Sequence, residues 1–167
     1  MIIKCNENLK LWNIDDITST LVVNAKDYNV AMSEFELVTI LNSMLTYVPD
    51  RSDRIEIFKN SHTILKKDGI LIGTVHNQVG TLAKTLYFKL RGLFYLILRE
   101  KVGNRDTGFK GFKVKGFYYN KKGLLKDLQE SGFCNIEVYS IEDFYSFSGR
   151  KYDRRKGYNN LFFIASK

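Results

Sequence analysis

The sequence predicts one α/β domain whose sheet is largely parallel and closes with an antiparallel hairpin. Near-continuous apolar runs at Phe35–Leu41 and Ile70–Val75 are typical of strands buried on both faces of a parallel sheet. Between them, Ser52–Lys66 repeats apolar side chains at helical spacing, and strand–helix–strand alternation favours a parallel arrangement. The last two apolar segments, Asn135–Tyr145 and Tyr158–Ala165, are joined by a short basic loop, which permits antiparallel neighbours.

The remaining elements are identified from weaker periodicities and from turn residues. In chain order they are a helix end over residues 1–13, a short strand at Thr20–Val23, a loop from Asn24 to Ser33, a turn at Asp68-Gly69, a long amphipathic helix from Gly80 to Lys101, a hairpin-like insert over residues 103–116 and a helix from Lys121 to Ser131. Gly92 weakens the long helix. Asn120 is suited to cap the last helix and Gly132 to end it. Residues 80–116 together are expected to form a lid-like insert.

Length and composition indicate a single globular domain, which we place at residues 1–167. The chain has 167 residues, of which 44% are hydrophobic and 26% charged, and its only proline is Pro49. This composition excludes a globally disordered chain, and no proline-rich or serine-rich linker divides the sequence.

The chain is basic, with a formal net charge of +8. Such a charge raises the odds of a nucleic-acid or anionic-membrane partner, but an ordinary solvated basic surface is the preferred explanation. The most apolar stretch, Leu82–Leu98, is interrupted by Lys84, Lys89 and Arg91, so we predict no transmembrane segment. The same stretch has the character of a helix that can lie on a membrane surface.

Two cysteines, Cys5 and Cys134, are far apart in the sequence and have no histidines at metal-ligand spacing. We therefore predict no metal site, and the absence of paired cysteines fits a reducing compartment. The first ten residues are too polar for a signal peptide. Together these features predict a cytoplasmic protein.

Four sequence motifs occur in a characteristic order and spacing. Phe35–Val38 (FELV) precedes the loop Asn42–Val48, and Ile64–Ile72 (ILKKDGILI) turns into the next strand. Phe117–Phe133 begins FYYN and ends in a leucine-rich helix and SGF, and Asn160–Ala165 (NLFFIA) ends the chain. In order, these motifs resemble the fourth strand and its loop, the turn into strand five, the helix before strand six, and strand seven of class I S-adenosylmethionine-dependent methyltransferases, in their small-molecule branch.

The resemblance implies a Rossmann-like methyltransferase sheet that is truncated at the N-terminus. The family's strand order is 3-2-1-4-5-7-6, and Met1 falls in the helix that follows its second strand. The first strand with its glycine-rich loop, and the second with its ribose-binding carboxylate, have no counterpart in the sequence, which contains no G-x-G. The fourth strand would then be an open apolar edge. We expect it to be covered by the third strand moved beside it, by a second copy of the chain, or by a partner chain.

For function, the resemblance implies methyl transfer from S-adenosylmethionine to a small-molecule acceptor. The residues it assigns to the cofactor site are Asn24 and Ala25 on the adenine side, and Ile40, Leu41, Asn42 and Leu45 around the sulfonium. Tyr47, His76 and Tyr118 are the candidates for contact with the substrate. His76 follows the fifth strand and is the candidate base, whereas the phenol of Tyr47 is suited to orienting a substrate. His62 lies on the apolar stripe of its helix and is expected to be a packed residue.

Two other functions remain open on the sequence alone. The first is a non-catalytic, methyltransferase-like module that binds another molecule. The second is a basic RNA-binding module, in which bases would stack on aromatic rings and lysines would meet phosphates. The residues that suggest RNA binding are Phe109, Phe112, Phe117 and Tyr118, interleaved with Lys110, Lys113 and Lys115. Cofactor binding separates the first function from these two, and salt-dependent RNA affinity identifies the last.

Overall fold

The computed structural model describes residues 2–28, 35–98, 101–109, 112–153, 155 and 159–167. The helices are α1 (Ile2–Leu11), α2 (Arg51–Ile64), α3 (Leu82–Leu93), α4 (Tyr95–Leu98), α5 (Lys121–Glu130) and α6 (Ile141–Phe147). The strands are β1 (Phe35–Ile40), β2 (Leu65–His76), β3 (Asn104–Phe109), β4 (Phe112–Phe117), β5 (Cys134–Ser140) and β6 (Asn160–Ser166). A single 3₁₀ turn, Met44–Tyr47, lies between β1 and α2.

The main sheet has the strand order β1-β2-β6-β5. β1 and β2 run parallel, and β6 runs antiparallel to both β2 and β5. This is the order 4-5-7-6 that the resemblance implies, so the predicted sheet and its antiparallel final pair are confirmed. Because β1 and β2 are parallel, their carboxyl ends, Ile40 and His76, lie at the same edge of the sheet.

The core lies between one face of this sheet and the helices α2 and α5. Alternate residues of β6, among them Leu161 and Phe163, are fully buried on this face, as are Leu71 and Val75 of β2. The ring of Phe58 from α2 meets that of Phe163 edge-on, with 5.9 Å between the ring centroids. A period of two in the strands and of 3.6 in the helices therefore produces one shared apolar layer.

The other face of the sheet is exposed in the described part of the chain. Leu37 of β1 is 51% exposed, and Ile70 and Ile72 of β2 are 41% and 36% exposed. The prediction that these strands are buried on both faces is therefore wrong for the described residues. The sequence carries the apolar side chains for a second layer, but the described elements cover only its β6 end, where Phe144 of α6 meets Phe162.

The N-terminal segment is only partly as predicted. The helix expected over residues 1–13 is present as α1, and none of its residues is buried. The strand predicted at Thr20–Val23 does not form, and Val22 is 78% exposed. Its β-branched residues favour extended backbone, but a strand needs a neighbour to pair with, and none of the described strands adjoins it. Part of the predicted loop Asn24–Ser33, residues 29–33, lies outside the described residues.

The predicted turn at Asp68-Gly69 is an irregularity within β2. Asp68 has a φ of 63°, in the left-handed region. The pairing with β1 passes from Phe35 opposite Leu65 to Leu37 opposite Ile70, so the register shifts at this point. The strand consequently starts five residues before Ile70, directly after α2.

The helix predicted from Gly80 to Lys101 is shorter than expected. It starts at Leu82, where the Thr81 side chain accepts a hydrogen bond from the Lys84 amide, and it ends at Leu93, one residue after Gly92. Phe94 separates it from the four-residue α4. Residues 99 and 100 lie outside the described part of the chain. Among the described helices, none combines the length and apolar character needed to cross a bilayer.

The hairpin predicted within residues 103–116 is confirmed as β3 and β4, which pair antiparallel. Its tip, residues 110 and 111, lies outside the described residues. The caps of α5 are also as predicted: the Asn120 side chain accepts a hydrogen bond from the Gly123 amide at 2.7 Å, and Gly132 follows the helix with a φ of 97°.

The strand predicted from Asn135 to Tyr145 ends at Ser140. Ser140 and Asp143 form a reciprocal capping box, in which each side chain accepts a hydrogen bond from the other residue's amide, and α6 starts there. The motif S-x-x-D was the signal that the strand had ended. The last strand starts at Asn160, and the predicted start, Tyr158, lies outside the described residues.

Candidate active site

The loop after β1 has an unusual backbone. Asn42 and Ser43 both have left-handed conformations, with φ values of 55° and 53°. The Ser43 amide donates to Thr74 Oγ1 at 3.1 Å, and Asn160 Nδ2 donates to Ser43 Oγ at 3.3 Å, so β2 and β6 hold the loop. Consecutive left-handed residues other than glycine are costly and are concentrated at functional sites. The loop therefore presents the exposed Leu41 and Asn42 at the carboxyl edge of the sheet.

The 3₁₀ turn at Met44–Tyr47 connects this loop to the end of β2. Leu45 and Thr46 are fully buried, so Leu45 supports the loop from the core. Thr46 Oγ1 accepts a hydrogen bond from the His76 amide at 3.2 Å. Of the residues assigned to the sulfonium side, Ile40 and Leu45 are buried beneath the edge, whereas Leu41 and Asn42 are accessible.

The adenine-side candidates, Asn24 and Ala25, lie in a turn held against α2. Asn60 Nδ2 donates to the carbonyl oxygens of Ala25 and Lys26, at 3.2 and 2.7 Å. The Lys26 ammonium pairs with Asp53 at 3.1 Å. Asn24 is exposed at the start of this turn. No hydrogen bond in the described structure links the turn to Asn42, but Ala25 packs against the apolar cluster that contains Ile40 and Leu45.

The three substrate candidates are brought together at the end of β2. The rings of His76 and Tyr118 are stacked, with centroids 5.2 Å apart and planes inclined by 29°. The ring of Tyr47 meets the ring of His76 edge-on, with 6.4 Å between the ring centroids. The Tyr119 amide donates to the His76 carbonyl at 2.9 Å, which aligns the segment after β4 with β2. Residues remote in the sequence thus form one aromatic cluster.

His76 has the properties of a neutral base. Burial and the nearby Lys84 ammonium lower the pKa of its imidazole below the usual 6.5. Its Nδ1 is buried and has no hydrogen-bond partner. A neutral imidazole with an unused nitrogen can accept a proton from a bound molecule. His62, by contrast, packs edge-on against Phe133 as expected, with 5.1 Å between centroids.

A buried arginine orients the aromatic cluster from the core side. Arg54 of α2 is fully buried and donates to the carbonyl oxygens of Val48 and Pro49 and, through Nε, to the Tyr119 hydroxyl at 2.8 Å. Its guanidinium carbon lies 3.7 Å from the centre of the Phe117 ring. Because side chains alternate along an extended chain, Phe117 and Tyr119 turn to the core and Tyr118 turns to the opposite side. Arg54 was not predicted from the sequence, although a cation on the apolar stripe of α2 indicates a buried, partnered arginine.

Beyond the cluster, α3 and the β3–β4 hairpin enclose a cavity of about 950 Å³. His76 and Tyr118 lie in its lining, whereas Tyr47 does not. Its charged lining residues are Lys84, Arg91, Arg105, Asp106 and Lys115, of which the sequence suggested a binding role for Lys115 alone. Burial and the Arg105 guanidinium lower the pKa of Lys84 to about 8. The residues expected to form a lid therefore form the outer part of a basic, aromatic cavity.

Phe117 and Tyr118 belong to the surface that the sequence predicts for RNA binding, and the structure shows how accessible their rings are. Phe117 stacks under Arg54, and Tyr118 is only 8% exposed. Neither ring is available for a nucleic-acid base to stack on. The side chains of Phe109, Phe112 and Lys113 are not described, and Lys110 lies outside the described residues; Lys115 is exposed and lines the cavity.

The strand order of the main sheet is that of the class I S-adenosylmethionine-dependent methyltransferase fold, and solved structures agree. An S-adenosylmethionine-dependent methyltransferase from Methanosarcina mazei is similar over 88% of this chain and 66% of its own, with a TM-score of 0.62 and 23% identity. One from Clostridium acetobutylicum is similar over 98% of this chain and 70% of its own, with a TM-score of 0.61 and 14% identity. A protein from Pyrococcus horikoshii is similar over 99% of this chain and 66% of its own, with a TM-score of 0.63 and 16% identity.

The chain thus spans about two thirds of the length of these structures. No protein-family model matches the sequence, and no curated protein matches it. At these identities the likeness establishes the fold.

Proposed function

We propose that this chain provides the acceptor-binding side of an S-adenosylmethionine-dependent methyltransferase that acts on a small molecule. The observation that supports the proposal is the position of the cavity, which adjoins His76 at the carboxyl end of β2. Ligands of open α/β sheets bind at this edge. The hydrogen bond from the His76 amide to Thr46 joins the cavity to the loop after β1, where we expect the cofactor to bind.

The residues at the end of β1 fit one side of the cofactor. Leu41 offers an exposed apolar side chain, and the left-handed backbone at Asn42 keeps the loop open next to it. Asn24 has a side-chain carbonyl that can accept a hydrogen bond from an adenine amino group. When bound, the cofactor supplies a methyl group made electrophilic by the sulfonium. The methionine and ribose groups would be held by residues that a second polypeptide contributes.

His76 and the two tyrosines prepare the acceptor. Methylation of a hydroxyl or amine releases one proton, and Nδ1 of the neutral His76 accepts it. Tyr118 holds the imidazole plane by stacking on it. The exposed Tyr47 orients the acceptor from the cofactor side. Holding acceptor and methyl donor in line is itself a large part of the rate enhancement in such a transfer.

The second polypeptide would cover the exposed face and edge of β1 and β2, and it is a second copy or a partner chain. Apolar side chains at Leu37, Ile70 and Ile72 are exposed together on this surface. β1 is at the edge of the sheet, where an apolar strand invites pairing. Burial of these side chains would contribute to assembly, at roughly 25 cal/mol for each Å² of apolar surface removed from water.

Calorimetric titration with S-adenosylmethionine and S-adenosylhomocysteine, with the oligomeric state measured in the same buffer, tests the proposal. We expect saturable binding by the assembled form. Asn42→Val should weaken it at least tenfold, because a β-branched residue is strained in the left-handed conformation, whereas the matched Asn42→Gly should keep the loop intact. Absence of binding at millimolar ligand, in every assembly state obtained, contradicts a methyltransferase function and leaves a non-catalytic module.

A further inference from the structure

Two cations in the cavity converge on one aromatic ring. Lys84 Nζ of α3 lies 4.8 Å from the centre of the Tyr118 ring. The Arg105 guanidinium carbon of β3 lies 5.5 Å from the same ring and 5.8 Å from the ring of Tyr87. The electron-rich face of each ring attracts a cation, but this attraction does not neutralise the positive charges of Lys84 and Arg105. The site therefore concentrates positive charge on one side of Tyr118.

The cavity lacks a matching number of carboxylates. Its lining contains four cationic side chains, Lys84, Arg91, Arg105 and Lys115, and one acidic side chain, Asp106. Within the described residues, neither Lys84 nor Arg105 forms an ion pair, although both are partly buried. A partly buried charge without a counter-charge is costly unless a ligand supplies one.

Neutral polar atoms of the same lining also lack partners. Asn159 is 2% exposed, and its Oδ1 has no hydrogen-bond partner. Asn104 Oδ1 and His76 Nδ1 are buried and unpartnered in the same way, and all three residues line the cavity. Buried polar atoms are nearly always satisfied by protein or by a bound molecule. The wall of the cavity is therefore polar as well as charged.

The helix α3 turns charged residues towards the cavity and most of its leucines towards solvent. Lys84 and Arg91, seven residues apart, face the cavity. Leu82, Leu86 and Leu93 lie on the opposite side of the helix and are 82%, 57% and 75% exposed. A helix that packed only for stability would turn its leucines inward and its cations to water. The inward cations therefore indicate a ligand of opposite charge.

We propose that the cavity between α3 and the β3–β4 hairpin binds an anionic group, a phosphate or a carboxylate, carried by the methyl acceptor. Lys84 and Arg105 hold the anionic group by charge-assisted hydrogen bonds. Tyr118 forms the floor beneath it, next to His76. That the anion belongs to a methyl acceptor rests on the proposed function, but binding of the anion itself does not.

Titration of the full chain with glycerol 3-phosphate and with succinate, without cofactor, tests the site directly. We expect saturable binding that Lys84→Gln and Arg105→Gln each weaken about tenfold or more, the usual effect of losing one charged hydrogen bond. Lys89→Gln is the matched control, because Lys89 is on the same helix but exposed and outside the cavity. Lys84→Arg should restore binding, and circular dichroism confirms that each variant is folded.

Equal binding by the Lys84→Gln and Lys89→Gln variants overturns the proposal. So does the absence of saturable binding by the wild-type chain both to the soluble anions and to vesicles that contain phosphatidylglycerol. Anion binding without any S-adenosylmethionine binding would retain the site and reject the methyltransferase function. Cofactor binding without anion binding would do the reverse.

The exposed leucines of α3 beside the cavity make a lipid headgroup a second source of the same phosphate. Vesicles that contain phosphatidylglycerol, compared with vesicles of phosphatidylcholine alone, distinguish the two sources. Binding to glycerol 3-phosphate in solution identifies a soluble acceptor. Binding only to the anionic vesicles, lost in Lys84→Gln but not in Lys89→Gln, identifies a lipid headgroup in the cavity. Vesicle binding that both variants reduce equally would reflect surface charge alone and count against the site.

Discussion

Arg54 Nε donates a hydrogen bond to the hydroxyl of Tyr119 at 2.8 Å, in a place from which both side chains are excluded from water. The Tyr119 hydroxyl in turn donates to Asp127 Oδ2 at 2.9 Å, and Arg51 pairs with the same carboxylate at 2.7 Å. Burial and the adjoining carboxylate raise the pKa of Tyr119 far above its usual value, so the hydroxyl keeps its proton. The chain of bonds ties α2, the end of the hairpin and α5 together, and it fixes the neighbouring Tyr118 in the cavity.

Replacing Arg54 should destabilise the fold strongly. Arg54→Met leaves two part-buried carbonyls and the Tyr119 hydroxyl without their donor, and we expect a loss of about 3–5 kcal/mol in the free energy of unfolding, from roughly 1–3 kcal/mol for each group left unsatisfied. Tyr119→Phe, which removes one bond of the same chain, should cost about 1–3 kcal/mol. Urea unfolding gives both values. Arg150→Met, at an exposed arginine, is the control and should change little; equal losses for Arg54 and Arg150 would show that the network adds no stability.

The protonation of His76 should depend on Lys84. Burial is the larger cause of the low His76 pKa and the Lys84 charge the second, so Lys84→Gln should raise that pKa towards 6.5 without reaching it. The chain has two histidines, so His62→Gln assigns the resonances in an NMR titration. A His76 pKa that is unchanged in the Lys84→Gln variant would place the ammonium farther from the imidazole than the structure does.

Under the proposed function, His76→Gln in the assembled form should reduce methyl transfer about 10²–10⁴-fold, the usual contribution of a general base. The base is needed unprotonated, so kcat, measured at saturating acceptor, should fall as pH drops through a value below 6.5 and stay level above neutral pH. His62→Gln should leave the rate unchanged. A wild-type level of kcat in His76→Gln, with only KM altered, would reassign His76 to substrate positioning.

Anion binding should weaken as pH rises through about 8. Lys84 has a pKa of about 8 and loses its charge above it, although a bound anion will move the transition somewhat higher. Sulfate is the suitable probe because its own charge is constant over this range. Lys84→Arg should remove the transition, since arginine stays charged; a transition that persists in this variant must come from another group. The other ionisable groups of the lining are His76, Tyr87, Arg91, Arg105, Asp106, Lys115 and Tyr118.

The exposed face of β1 and β2 should be the assembly surface. Leu37→Lys places a charge among the exposed apolar side chains and should shift sedimentation towards the monomer. Leu86→Lys, on the outer side of α3, is the matched control, because Leu86 is 57% exposed and Leu37 is 51% exposed. If both substitutions act alike, association is a general effect of exposed leucines and the sheet face has no special part in it.

The elements that could be predicted from the sequence are those whose secondary structure is determined by one local pattern. The apolar run of β1, the amphipathic period of α2 and the cap at Asn120 depend on neighbours within a few residues. The strand order followed from the resemblance. The end of β5 was missed because alternation continues past Ser140, although the S-x-x-D motif marks the start of α6.

The sequence by itself determined which side chains share a face of each element, because a period of 2 or 3.6 follows from backbone geometry alone. Only the tertiary structure decided which of those faces is covered. It left Leu37 exposed, buried Arg54, and turned Lys84 towards the cavity. These outcomes depend on contacts between segments far apart in the chain, where the cost of burying a charge is set by the partners that folding brings to it.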